Sequence, residues 1–191
     1  MIENDSDIPV VVAEINERLQ ALHDYLGDRN IEEAKIRFPR GYLRTCAHHR
    51  AKYSFITNST LKKNIAYAKL TTDIYRWLLN RTDLAITAKE MIAKQGIVLL
   101  CSVAEAIVHE LAKGKPNAGR DKPFKVRLSA IATEHDMPEE LIAELEWLWD
   151  TRSKVHLTLA KTPEFGVYEF KDYNRAVKAL AKLRVSLGGV P

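Results

Sequence analysis

Cysteine is nearly absent. Cys46 and Cys101 are the only two, too few for a disulfide scaffold, and no CxxC pair or Cys/His cluster suggests zinc. Eight glycines and seven prolines are too few for a collagen-like or Pro/Gly-rich disordered chain. The longest apolar run, Gly96 to Ala104, falls far short of the ~18 residues of a membrane span. No basic-then-apolar leader opens the sequence, so a reducing, cytoplasmic setting with no membrane partner is expected. The glycosylation-type triplets at Asn58 and Asn80 are then chance. Also missing are the phosphate-cradling GxxxxGK[ST], the dinucleotide GxGxxG, the GxSxG elbow and the HExxH metal motif. Neither a metal nor a cofactor is expected.

What is present is an ordinary soluble composition: 191 residues, 46% hydrophobic, 28% charged and 8% aromatic. That length suits one domain, or a domain with an appendage. The net charge of +4 hides a strong asymmetry. Residues 1–34 carry nine acids against two bases, whereas residues 35–76 carry ten bases against one acid, Asp73. A stretch at +9, with His48 and His49 in reserve, is a plausible footprint for a polyanion; alternatively it docks against the acidic first segment.

The periodicity predicts helices almost throughout. Ile8, Val11, Val12, Ile15, Leu19, Leu22 and Leu26 mark one apolar helix face, with Ser6 or Asp7 as cap and Gly27 as stop. Residues 31–38 read as two further turns before Pro39. Residues 42–58 are ambiguous: Arg40, Arg44, His48 and Lys52 recur every four residues, a basic stripe if helical, yet the run from Tyr53 to Thr57 is strand-like. From Leu61 to Leu79 a helix is expected to bury Ile65, Leu70, Ile74, Tyr75 and Leu78 and to show Lys62, Lys69 and Arg76 on another face. A second helix, 84–113, is apolar nearly all round between Ile97 and Val108, which marks it as buried on several sides. Shorter helices follow over 124–135, from Pro138 towards His156, and from Tyr173 to Leu187. The fold class is all-α, an antiparallel helical bundle over 59–191 with an N-terminal helical extension over 1–58.

Two features carry possible chemistry. Glu105 lies within a buried stretch, where a carboxylate needs a partner; it serves as a structural partner for an arginine, or orients a catalytic one. Arg152 and His156, four apart, share a helix face and could address one phosphate. A guanidinium binds phosphate through a planar fork and keeps its charge, and an imidazole exchanges a proton near neutral pH. Together they could cleave RNA without metal, the base activating the 2′-hydroxyl and the cation stabilising charge on phosphorus oxygens. Equally, Arg152 could neutralise Glu105 while His156 caps a helix end.

The run from Leu148 through Trp149, Arg152, Ser153, Lys154 and His156, then a loop and the helix from Asp172 to Leu183, resembles a HEPN domain (higher eukaryotes and prokaryotes nucleotide-binding). The upstream helix from Gly96 to Leu111, which contains Glu105, is similar to that family's buried helix with its single acid. The resemblance spans roughly residues 60–187. It implies a helical bundle of HEPN type and a metal-independent ribonuclease, a toxin or defence effector, with the Arg/His pairs of two protomers forming one site in a homodimer. Arg152 would be the phosphate-stabilising cation, His156 the general base or acid, and Ser153 and Glu105 supporting residues. Ser153 stands where that family commonly has Asn, and only three residues separate Arg152 from His156.

The implied partners are RNA, a second copy of the chain, and a cognate antitoxin or regulatory protein. The alternative is a non-catalytic module that binds nucleic acid or a protein. Its nucleic-acid-binding residues would be Arg44, Lys62, Lys69, Arg76 and Lys154. Trp147 and Trp149, two apart, cannot share a helix face, so one of them is expected to meet a partner or the domain's flank.

Overall fold

The computed structural model describes residues 2–119, 121–153 and 166–190. Among these the protein is all-α, with seven α-helices and no strand. They are α1 (Ile8–Leu26), α2 (Cys46–Ala51), α3 (Ser59–Arg81), α4 (Ile86–Leu111), α5 (Phe124–Glu134), α6 (Glu139–Ser153) and α7 (Phe170–Ser186). The chain divides into two compact units, Met1–Pro39 and Arg40–Pro191.

In the first unit, Asn4 and Asp7 form a reciprocal capping box around a 3₁₀ turn, Asp5–Asp7, which leads directly into α1. Pro9 suits the first turn of that helix because its missing N–H would have no intrahelical partner there. Gly27 stops the helix at a φ of 52°, a left-handed conformation that glycine adopts without steric penalty. The two turns expected over 31–38 shrink to one 3₁₀ turn, Glu32–Ala34.

The second unit is organised around α4, which packs against α3, α5, α6 and α7. Ala93, Gly96, Ile97, Leu100, Cys101, Val103, Ala104, Ile107 and Val108 are all buried, which accounts for its all-round apolar character. By length and composition α4 could also cross a membrane, but 56% of its apolar window is buried inside this unit. Gly96 is where α7 comes closest: a Cβ there would lie 2.5 Å from Cε2 of Tyr173. The same tyrosine donates its hydroxyl to the Thr72 carbonyl (3.1 Å), so one buried side chain links α7 to both α4 and α3.

Two expectations are corrected by the packing. The Tyr53–Thr57 run is not a strand: residues 52–55 are turns that follow α2, and Tyr53 and Ile56 enter the core. On α3, Ile74 is exposed, whereas Thr72 and Asp73 are buried. The polar side of α3 turns inward because α2 covers it. The two tryptophans both find partners within the chain. Trp149 stacks on Phe124 of α5 (4.7 Å, 12°), and the Arg175 guanidinium of α7 lies 3.9 Å from the Trp147 ring.

Candidate anion-binding site

Arg44, His49 and Arg76 converge on one buried carboxylate, Asp73. α2 is only six residues long, too short to persist without support. Thr45 caps it by accepting the His48 N–H (3.1 Å), and its last turn presents His49 to α3. There Asp73, whose side chain is 6% exposed, gathers four contacts. The Arg44 backbone N–H donates to it at 3.1 Å and the Arg44 guanidinium at 3.2 Å. His49 Nε2 lies at 3.1 Å, and Arg76 forms a looser ion pair at 3.7 Å from the next turn of α3. A carboxylate can only accept, so Nε2 of His49 carries the proton. The Arg76 guanidinium also lies 5.2 Å from the ring of Tyr42, a second restraint on its position.

Beside this anchor lies a cavity of about 170 Å³. Arg44, His48, His49, Lys52 and Tyr53 line it from the α2 segment, Lys69, Asp73 and Arg76 from α3, and Val177, Leu180, Ala181 and Arg184 from α7. Its lining brings five basic side chains together with a single carboxylate. The proton equilibria register this crowding. Burial pulls the Lys69 ammonium down to about 8; Asp73 opposes the shift, and Arg184, Arg76 and Arg44 add to it. Burial likewise lowers Lys52, helped by Arg184 and Arg44. It also holds His49 below its ordinary 6.5, although Asp73 pulls the other way. The Tyr53 hydroxyl is pushed up to about 12 by burial against the opposing charge of Arg184, so it remains a neutral wall.

Two arginines leave hydrogen-bonding capacity unused. The Nε of Arg76 and the Nε of Arg184 are buried and have no partner among the described residues. An unsatisfied buried donor costs about 1–3 kcal/mol. Gly189 fixes the shaft of Arg184: a Cβ at that glycine would lie 2.6 Å from Arg184 Cγ and 2.7 Å from the Lys52 carbonyl oxygen.

Three of the residues named from sequence for nucleic-acid binding, Arg44, Lys69 and Arg76, thus share one cavity. Lys62 is half-buried on α3 outside its lining, and Lys154 lies outside the described residues. Sequence reasoning passed over Asp73 and Arg184 as site residues. The lone acid in a basic stretch was the available signal for Asp73; Arg184, more than a hundred residues downstream of α3, offered none.

The pair resembling the HEPN motif is seen only in part. His156 lies outside the described residues. Arg152 is half-buried near the end of α6, its guanidinium 5.4 Å from the Trp149 ring. The Ser153 hydroxyl donates back to the Trp149 carbonyl (3.0 Å). Arg152 and the half-buried Glu105 both lie within electrostatic reach of Cys101, whose thiol burial pushes up to about 12, with Arg152 lowering and Glu105 raising it. That thiol is therefore no nucleophile at neutral pH. Among the described residues no group of three or more His, Cys, Asp or Glu could hold a metal ion.

No family model, no curated protein and no solved structure matches this chain.

Proposed function

We propose that this chain is an all-α module that binds nucleic acid through its phosphate backbone, with the cavity between α2, α3 and α7 as the principal contact. The observation that carries the reading is the convergence of Arg44, Lys52, Lys69, Arg76 and Arg184 on a hollow containing one carboxylate. That carboxylate is already engaged by Arg44, His49 and Arg76, so it holds the cations in place without cancelling the surplus. A preorganised group of cations beside apolar walls binds phosphate oxygens without first having to be assembled. Few aromatic rings accompany the cations, which favours backbone binding over base stacking.

The test is affinity for mixed-sequence RNA and DNA as a function of salt. Binding that weakens steeply with salt, and weakens further in Arg44→Ala and Arg184→Ala, is the expected result. Binding that is absent, or indifferent to salt, rejects the reading.

A second reading is favoured by Arg152, a half-buried guanidinium resting on Trp149 within electrostatic reach of Glu105 and Cys101. In it the chain is a HEPN-type helical bundle, a cytoplasmic homodimer that cleaves RNA without metal. Arg152 stabilises charge on the phosphorus oxygens and His156 takes the 2′-hydroxyl proton, with Ser153 and Glu105 in support. An antitoxin or regulatory protein would hold such an activity in check. RNA left intact by the purified protein in EDTA, at every concentration, removes this reading and leaves the first untouched.

A further inference from the structure

We propose that the cavity between α2, α3 and α7 is a receptor for a phosphomonoester, the doubly charged phosphate at the end of a nucleic-acid strand, in preference to the internal phosphodiester. This rests on the nucleic-acid reading above and narrows it to one chemical group.

The argument begins with charge density. An internal phosphodiester carries one negative charge, and its two ester arms must continue out of whatever site holds it. The cavity instead gathers five basic side chains and one carboxylate around about 170 Å³. Five cations on three chain segments surround it, and Val177, Leu180 and Ala181 supply an apolar wall on one side. Charge gathered this closely suits a compact, multiply charged group. A water needs only ~10–15 Å³ of such space, so a phosphate and companion waters fit.

Hydrogen-bonding capacity points the same way. Asp73 is already saturated by Arg44, His49 and Arg76, so it takes up no further donor from the cavity lining. Three oxygens on one phosphorus supply more acceptors than the two free oxygens of a diester. The Lys69 ammonium faces Asp73 and Arg76 on its own helix, Arg44, His48, His49 and Lys52 from the α2 segment, and Arg184 from α7. An entering dianion relieves the repulsion among these cations, so Lys69 holds its proton more firmly once the ligand is bound.

The test uses the full chain and one short RNA sequence, labelled internally and carrying a 5′-phosphate, a 3′-phosphate or hydroxyls at both ends. A phosphorylated end is expected to tighten binding about tenfold or more, the margin one extra charge-assisted contact provides. Lys69→Met and Arg184→Gln should erase that margin, while Arg184→Lys, which keeps the charge, retains part of it. The margin should also shrink as pH rises through about 8 and Lys69 gives up its proton. Inorganic phosphate as competitor separates the sources. If it displaces the phosphorylated RNA only at far higher concentration, the ligand is a strand end. If it competes mole for mole, the site takes free phosphate and the strand-end proposal is overturned. Equal affinity for all three RNAs with a steep salt dependence overturns the proposal and leaves the nucleic-acid reading standing. No binding to any of them overturns both.

Discussion

His49 donates through Nε2 to the Asp73 carboxylate at 3.1 Å, and the two side chains are only 5% and 6% exposed. This pair joins a six-residue helix to a 23-residue one, and Asp73 also holds Arg44 and Arg76. Because the ring is neutral at pH 7, the contact is a hydrogen bond to a charged acceptor, and the charge of Asp73 is balanced by Arg44 and Arg76.

Asp73→Asn keeps the shape of the side chain and removes its charge. Arg44 and Arg76 then lose their shared counter-ion in a partly buried site. Breaking a buried pair of this kind costs about 3 kcal/mol, read as a shift of the urea midpoint at unchanged slope. An unchanged midpoint would mean that Asp73 does not anchor the cluster.

His49 gives the protein an acid-sensitive limb. Its folded pKa lies below 6.5, so the unfolded chain takes up a proton first as the pH falls. The His49 contribution is therefore fully present above about 6.5 and declines below it. His49→Gln, whose amide can still donate to Asp73, should flatten this part of the stability–pH curve. Urea midpoints between pH 5 and pH 7 measure it, and identical curves for the two proteins would refute the assignment.

Lys69 carries the same sign in a higher pH window. Its folded value of about 8 lies below the 10.5 of an ordinary lysine, so folding at neutral pH forces a cation into a crowded, poorly solvated place. The penalty is complete below about 8 and fades as the pH climbs towards 10.5, where the unfolded chain also loses the proton. Lys69→Met should thus stabilise the protein at pH 7 by about 1–3 kcal/mol, with the gain dwindling near pH 10.5. A residue present only for stability would show the reverse sign. Denaturant titrations at the two pH values decide between them.

How much of this was legible in the sequence differs from element to element. α4 could be read as a buried helix because its apolar residues leave no polar face, and the all-α class followed from helical spacing. The ambiguity over 42–58 had a physical basis. α2 is too short for periodicity to declare itself, and Tyr53, Phe55 and Ile56 resemble a strand because they pack into the core from turns. The four-residue spacing of Arg44, His48 and Lys52 nevertheless brought together three residues of one cavity, although only His48 lies within the helix. Of the face expected on α3, Ile65 is buried and Leu70, Tyr75 and Leu78 are half-buried, but Ile74 is exposed because Thr72 and Asp73 turn inward beside it. Asp73 is stabilised inside by residues 24 and 29 positions upstream, a tertiary fact invisible in a helical pattern. Arg184 belongs to the site through the packing of α7, which no local spacing foretells.

Gly96 marks the tightest approach of α7 to α4. Adding a Cβ would bring it 2.5 Å from Cε2 of Tyr173, and that ring is held by its own hydroxyl bond to Thr72 and by stacking on Phe170. The ring cannot yield without disturbing α3. Gly96→Ala should therefore cost about 1–3 kcal/mol despite the better helix propensity of alanine. Thermal melting of Gly96→Ala beside Tyr173→Phe separates overpacking from the loss of the hydroxyl bond, since the second should cost only about 1 kcal/mol.

Arg152 decides between the two functional readings because its structural and chemical roles leave different traces. Its guanidinium lies over Trp149, which itself stacks on Phe124, and it acts electrostatically on Cys101 together with Glu105. If its role is to neutralise Glu105 and cover Trp149, Arg152→Ala loses about 1–3 kcal/mol, because removing the cation leaves Glu105 without its compensating charge. Glu105→Gln would then restore much of that loss in the double variant. If Arg152 instead meets a phosphate in a shared cleft, Arg152→Ala melts within about 0.5 kcal/mol of the parent, the range of an ordinary surface substitution. RNA cleavage in EDTA would vanish with it, as with His156→Ala. Melting curves and the cleavage assay on the parent, the two single variants at 152 and 105, their double variant and His156→Ala distinguish the outcomes. Cleavage that survives both single substitutions excludes the Arg152/His156 pair as its source.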